Sequence, residues 1–283
     1  MIVTADISEV RKVRWESPTA TWGLAPTMGA LHAGHESLMV KSVQENDKTC
    51  ATIFVNPTQF APTDDLDKYP RTLEDDLKML EKAGVDLVFT PTPEVMYPAG
   101  FGTQVIVDGI TSILEGEFRP GHFDGVTQIV SKLFNIVQPT RAYFGQKDVQ
   151  QTVVLKKMIR DLNFNIDLVV CPTVREPDGL AMSSRNRYLS PTQRKNATIL
   201  HKSLKKAADM IQSGETHAHQ VRQTIREMVN ATPEAVLIYA SVARGIDLSE
   251  MEQIEGDVVI SLAAWFGSTR LIDNLILDTQ SSR

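Results

Sequence analysis

The sequence predicts an α/β protein. Residues 1–172 are expected to form a Rossmann-like, doubly wound parallel sheet, and residues 173–283 a smaller α+β lid domain with a hinge at its start. Three observations carry this. Short apolar runs alternate with amphipathic runs over the first part of the chain, as in a parallel sheet with crossover helices. After Cys171 the texture changes to PTVREPDGLAMSSRN, with two prolines and a Pro-Asp-Gly turn signal. The C-terminal region then carries three β-like runs, two of them flanking Gly267-Ser268.

In chain order, TWGLAP reads as a strand and residues 34–44 as the helix after it. CATIFV is the next strand. A helix over Thr72–Ala83 follows, with Thr72 and Asp75 spaced like a capping box and Gly84 suited to the left-handed residue past its end. DLVFTP and QVIVDG read as strands. The run VTQIVSKLFNIV puts Val126, Ile129, Val130, Leu133 and Val137 on one helical face before Pro139 stops it. RAYFG, a helix through VQQTVVLKKMIRDL, and IDLVVC complete the first domain, with ligands expected at the carboxyl ends of its strands. In the second, Ser190-Pro191 opens a helix that Gly214 ends, and another covers Thr216–Val229. AVLIYASVA, VVISLAAWF and TRLIDNLIL form a small antiparallel sheet.

The length of 283 residues exceeds what one core usually sustains, about 250 residues, which agrees with two domains. Hydrophobic content of 42% with 23% charged residues is that of a globular chain. The net charge of −6 argues against a nucleic-acid partner, since phosphate backbones reward a basic surface. The N-terminal stretch has no long apolar run, and no segment reaches the roughly 20 apolar residues of a span, so a cytoplasmic protein without a membrane partner is expected. Cys50 and Cys171 sit on predicted buried strands without metal-ligand or CxxC spacing and read as two reduced core thiols.

Four segments carry chemistry. In PTMGALHAGHESL, His32 and His35 share a face where a strand runs into a helix. Gly29 and Gly34 allow close backbone approach, and a helix N-terminus offers unpaired N–H groups to an anion. In GLAMSSRNRYL, Arg185 can neutralise phosphate charge and the serines can bind its oxygens. Paired, HxGH and MSSR resemble the two signatures of the nucleotidyl-transfer superfamily that includes class I aminoacyl-tRNA synthetases. In FGQKDVQQ, Lys147 at a strand end suits a phosphate, Asp148 can accept from a ribose hydroxyl or the lysine, and Gln151 lies one turn into the helix. In FVNPTQF, Asn56 and Gln59 are amides that recognise hydroxyls and carboxylates without adding charge.

In wording, order and spacing, PTMGALHAGH, FVNPTQF, FGQKDVQQ and VREPDGLAMSSRNRYLS resemble the pantothenate synthetase family, and YPRT at Tyr69–Thr72 and RPGHFDGV at Arg119–Val126 extend the match. The resemblance implies condensation of pantoate with β-alanine through a pantoyl adenylate, with release of AMP and pyrophosphate. It implies that Met28, Gly29, Ala30, Leu31, His32, Ala33, Gly34 and His35 line the ATP site, with His35, helped by His32 and Lys147, as the catalytic set. Gly145, Gln146, Lys147, Asp148, Val174, Met182, Ser183, Ser184 and Arg185 also fall to ATP. Gln59 and Gln151 fall to pantoate, and Gln59 also to β-alanine. The family uses Mg2+ with ATP and is typically homodimeric.

Asp75 and Asp76 match a position tied to magnesium in relatives, but capping and surface helix chemistry explain them equally well, and no metal ligand is assigned. Ala33 stands where the family more often has glutamate. The rival readings are a nucleotidylyltransferase of the same superfamily acting on another small acid or phosphate, and a regulatory nucleotide-binding module. The first needs a further basic pocket, whereas the two glutamines suit a neutral hydroxy acid. The second has no need of both histidines, Lys147 and Arg185.

Overall fold

A computed structural model describes residues 1–60, 66 and 69–278. The chain forms two compact units, Met1–Gly145 with Val154–Cys171, and Gln146–Val153 with the chain from Pro172 onward. The segment after Gly145, which carries Lys147 and Gln151, therefore groups with the second unit.

The first unit follows the order β1 (Ile2–Thr4), α1 (Ile7–Trp15), β2 (Trp22–Thr27), α2 (Ala33–Glu45), β3 (Lys48–Ile53), α3 (Leu73–Lys82) and β4 (Leu87–Phe89). It continues through α4 (Pro93–Met96), α5 (Glu115–Phe118), α6 (His122–Val137), β5 (Arg141–Gly145), α7 (Val149–Asp161) and β6 (Asp167–Cys171), the start of α7 belonging to the second unit. The six strands run in the order β1-β4-β3-β2-β5-β6, and every pairing is parallel. From β2 the chain winds outward to β3 on one side, while β5 and β6 fill the other. The strand order reverses between β2 and β5, and such a reversal is where a doubly wound sheet opens a crevice. The carboxyl ends there are Thr27 and Gly145.

Ala25, Met39, Ala51, Leu80, Val88, Tyr143 and Cys171 pack into one core cluster of this unit. Cys50 is fully buried, which pushes its thiol pKa up and keeps it protonated. Both cysteines are free.

The second unit contains α8 (Pro191–Asn196), α9 (Ile199–Gln212), α10 (Ala218–Asn230), β7 (Ala235–Arg244), β8 (Asp257–Phe266) and β9 (Thr269–Asp278). β8 pairs antiparallel with both β7 and β9, and the two-residue turn Gly267-Ser268 joins β8 to β9. Leu200, Leu204, Val221 and Ile225 of the helices pack against Val258, Ile260, Leu262 and Phe266 of the sheet. No helix among the described residues is long and apolar enough to cross a membrane.

Three local expectations need correction. QVIVDG is not a strand: the Val105 N–H donates to Gln128 Oε1 and the Val105 carbonyl accepts from Thr127 Oγ1, so side chains of α6 satisfy what a neighbouring strand would. The helix expected from Ser190 to Gly214 is two, with the Ser190–Gln193 capping box intact at the start of α8. At the break the Thr198 hydroxyl donates to the Lys195 carbonyl and competes with the helical ladder. Thr72 is the N-cap of α3 in position, but its hydroxyl donates to Asp76 and accepts from no backbone N–H, so no capping box forms with Asp75. β1 and α1 were not anticipated; Asp6 caps α1 by accepting from the Ser8 N–H.

Candidate active site

The segment from Thr27 to α2 leaves the switch point of the sheet through two left-handed residues, Gly29 at φ 83° and Ala30 at φ 51°. Glycine adopts this conformation freely, and a side chain at position 29 would also come within 3.0 Å of Asp76 Oδ2. The turn is held by hydrogen bonds to side chains. Gly29 N–H donates to Thr27 Oγ1, which itself donates to the Thr52 carbonyl on β3. Ala30 N–H donates to Asp76 Oδ2 at 2.9 Å and Leu31 N–H to Asp76 Oδ1 at 2.8 Å.

His32 and His35 cap α2 reciprocally. Gly34 N–H donates to His32 Nδ1 at 3.1 Å and His32 N–H to His35 Nδ1 at 3.3 Å, with ring centroids 4.1 Å apart. The N-terminal amides are thus partly engaged by the rings, where the sequence suggested unpaired N–H groups. Because each Nδ1 accepts from a backbone amide, the neutral rings carry their proton on Nε2. The start of α2 presents two imidazole donors whose tautomer the backbone has fixed.

Gln59 ends the 3-10 turn Pro57–Gln59 after β3. Asn56 is 1% exposed and its amide is fully engaged: Nδ2 donates to the Gly125 carbonyl and to Gln59 Oε1, while Oδ1 accepts from the hydroxyls of Tyr97 and Thr58. Asn56 is therefore a support and not a ligand-facing amide. It fixes the orientation of Gln59, whose Nε2 is the donor end and lies 3.2 Å from Met28 Sδ. From below, His122 Nδ1 donates to the Gln59 carbonyl while its Nε2 accepts from Arg119. A methyl on Gly125 would run into the Thr58 carbonyl and the Gln59 amide, so α6 meets this turn only through glycine. Met28, His32, His35 and Gln59 thus form one set around the end of β2.

Gly145 ends β5 in the first unit, and the second unit holds the remaining residues. Gln146–Asp148 form a 3-10 turn whose Gln146 and Lys147 carbonyls both accept from Asn274 Nδ2 on β9. Lys147 Nζ lies 3.7 Å from Asp148 Oδ1. Gln151, on the first turn of α7, is half-buried. Met182 N–H donates to the Val174 carbonyl, and Arg175 pairs with Ala181, so Val174 and Met182 lie on the arms of one hairpin, with Ser183–Arg185 directly after it. Arg175 anchors this hairpin through two bonds to Asp273, of 2.7 and 2.9 Å, the aspartate being 1% exposed. Ser183 Oγ accepts from Arg185 N–H and starts the 3-10 turn Ser184–Tyr188. Lys147 and Ser183 line a single small cavity with Asn186 and Asp273.

The model of one protein family, Pantoate-beta-alanine ligase, matches residues 2–276. The chain belongs to the Pantoate-beta-alanine ligase family. It is 57% identical over 256 residues to a pantothenate synthetase of Acetivibrio thermocellus, an alignment covering 90% of this chain and 91% of the relative. Among solved structures it is similar to a Thermus thermophilus pantothenate synthetase, with TM-score 0.92, 42% identity and coverage of 97% and 99% of the two chains. It is also similar to a Francisella tularensis pantoate-beta-alanine ligase complexed with beta-gamma ATP and beta-alanine, with TM-score 0.78, 33% identity and coverage of 99% and 98%. A chain of this Pantoate-beta-alanine ligase family is a carbon–nitrogen ligase of pantothenate biosynthesis, and the α/β fold with its small antiparallel sheet is the family's fold.

Tyr97, His122 and Asn274 were assigned no role by the sequence, and Asp76 was weighed only for capping or magnesium; each holds one of the loops named above. Lys132 of α6 stacks its ammonium over the Phe101 and Tyr97 rings, 4.6 and 5.9 Å from the centroids, and burial lowers its pKa. Among the described residues no group of three or more His, Cys, Asp or Glu is placed to hold a metal ion. The described side chains offer no protein cage for magnesium, which in nucleotide enzymes is commonly bound through substrate phosphates and one or two carboxylates.

Proposed function

We propose that this ligase activates the pantoate carboxylate with ATP as a pantoyl adenylate and transfers the acyl group to the amine of β-alanine. The observation that carries the reading is the paired capping of His32 and His35, which sets both rings as Nε2 donors at one helix start. Such donors suit the charge that builds on pyrophosphate when a carboxylate oxygen attacks the α-phosphorus. Met28–His35 take the phosphates, with His35 the principal catalytic group and His32 its partner. Gln59 directs its amide N–H to an oxygen of pantoate and afterwards borders β-alanine. Gly145 at the end of β5 and, in the second unit, Gln146–Asp148, Val174 and Met182–Arg185 serve the same ATP, with Lys147 and Arg185 supplying positive charge, and Gln151 serves pantoate.

The sequence contains no G-x-x-x-x-G-K-[ST] loop of the kind that supports transfer of a terminal phosphate. In the first step a carboxylate oxygen bonds to the α-phosphorus and pyrophosphate leaves. In the second the neutral amine adds to the acyl carbon, AMP leaves, and the amine gives up a proton. Mg2+ accompanies ATP through its phosphates. Residues 173–283 act as a lid with its hinge at Pro172–Asn186, and the active assembly is a homodimer in the cytoplasm.

Purified enzyme should form pyrophosphate only when pantoate and ATP are both present, and release AMP together with pantothenate when β-alanine is added. Turnover that leaves the nucleotide on the product would place the chain among the nucleotidylyltransferases. Slower proteolysis within Pro172–Asn186 at saturating ATP and pantoate supports the lid, and unchanged cleavage removes it. A sedimenting mass of one chain would exclude the dimer.

A further inference from the structure

We infer that Asp76 is the positioning residue of the Met28–His35 loop and is not a ligand of the nucleotide's magnesium. The first turn of α3 carries three carboxylates in a row, Glu74, Asp75 and Asp76. Two face outward: Glu74 is exposed, and Asp75 has an 80% exposed side chain paired with Lys78. Asp76 is 3% exposed and points the opposite way, into the turn that follows β2.

There its two oxygens accept three hydrogen bonds. Oδ2 takes the Ala30 N–H, and Oδ1 takes the Leu31 N–H and the Thr72 hydroxyl at 3.1 Å. The consecutive amides it binds follow the two left-handed residues, Gly29 and Ala30. A non-glycine residue rarely holds that conformation without outside support. The charged acceptor supplies the support, since hydrogen bonds to an ionised group are about twice as strong as neutral ones. The residue after Leu31 is His32, whose ring in turn caps α2, so the placement of both imidazoles is referred back to one carboxylate on α3.

The same commitments disqualify Asp76 as a metal ligand. Magnesium demands near-octahedral geometry and keeps several waters. A carboxylate sealed from solvent and already bonded to two amides and a hydroxyl meets neither condition.

The inference rests on the reading of Met28–His35 as the ATP loop, and the test separates the two. Binding of a non-hydrolysable ATP analogue is measured by titration calorimetry with and without magnesium, for the wild type and the variants Asp76→Asn, Thr72→Val, Asp75→Asn and His32→Ala. Asp76→Asn keeps the shape but turns an NH2 toward one of the two amides. Affinity should fall about tenfold to a hundredfold, equally with and without metal. The magnesium midpoint for turnover and the KM for pantoate should stay unchanged. Thr72→Val should move the same way by about threefold, which preserves the test if Asp76→Asn does not fold. Asp75→Asn should match the wild type.

Unchanged analogue affinity in Asp76→Asn, or a loss seen only with magnesium present, would overturn the inference. So would a raised magnesium midpoint in either aspartate variant. If instead His32→Ala has no effect on analogue binding or turnover, the reading of the loop itself fails, whatever Asp76→Asn does.

Discussion

Two loops carry most of the candidate chemistry, Met28–His35 in the first unit and the hairpin-bearing segment Val174–Arg185 in the second, and each is held by a buried aspartate distant in sequence. The means differ. Asp76 accepts from neutral amides inside the first loop, so it sets the backbone conformation residue by residue. Asp273 grips the guanidinium of Arg175 near the base of the second, so it places the hairpin as a body. Arg175 also donates to the Gly179 carbonyl in the turn, and the open end is tied by the Val174–Met182 bond and by Asn186 Nδ2 donating to the Ala181 carbonyl. The comparison teaches that one residue type can fix conformation or location, according to whether its partner is a backbone amide or a side-chain cation.

The largest expected effect follows from the ion pair. Asp273→Ala would leave the Arg175 guanidinium without its carboxylate in a largely buried setting, and breaking one side of such a pair typically costs about 3–5 kcal/mol. Urea unfolding followed by a probe in the second unit should show that loss. A change below about 1 kcal/mol would mean that the pair is solvated and does not place the hairpin.

Next in size is catalysis at the first loop. Removing a donor from developing charge usually lowers turnover about a hundred- to a thousandfold. His35→Ala should do this while ATP affinity changes far less. A large loss of ATP affinity at normal turnover would make His35 a ground-state ligand and blur the contrast between a catalytic first loop and a binding second one.

The smallest effect is a pH dependence confined to the second unit. His201 packs against Gly179 of the hairpin, and its Nδ1 is buried with no hydrogen-bond partner in the structure. Burial, then the charge of Arg175, lowers its pKa below the ordinary 6.5, with Lys205 adding to the fall and Asp273 opposing it. The unfolded chain therefore binds the proton more readily than the folded one, and stability falls as pH drops below 6.5. His201→Gln should flatten the stability difference between pH 7 and pH 5. An identical slope in the variant would assign the acid sensitivity elsewhere.

Much of this organisation was legible in the sequence, because strand-helix alternation and turn residues are local signals. β2, β3, β5, β6 and the three strands of the small sheet follow directly from apolar runs. QVIVDG misled because its alternation is real, with Val107 buried and Ile106 exposed, yet its partners are side chains of α6. β1 has only three residues and lies at the sheet edge, too short to show a period.

In the site, the motif residues were visible as words and their supports were not. Asp76 had a signal all the same: it lies four residues before Leu80, on the buried face of α3, and a carboxylate on such a face must find donors. Asp273 and Asn274 likewise interrupt the apolar run LIDNLIL, and both are at most 2% exposed. What sequence could not supply was the identity of their partners, which lie 45 and 46 residues away for Asp76 and 98 residues away for Asp273.

The route of the carboxylate oxygen tests the central claim most directly. Pantoate labelled with heavy oxygen in its carboxylate is turned over with ATP and β-alanine, and the nucleotide and phosphate products are analysed by mass. Attack on the α-phosphorus predicts one labelled oxygen in AMP and none in pyrophosphate. Label in inorganic phosphate, with ADP as the nucleotide product, would contradict the account even if pantothenate were formed.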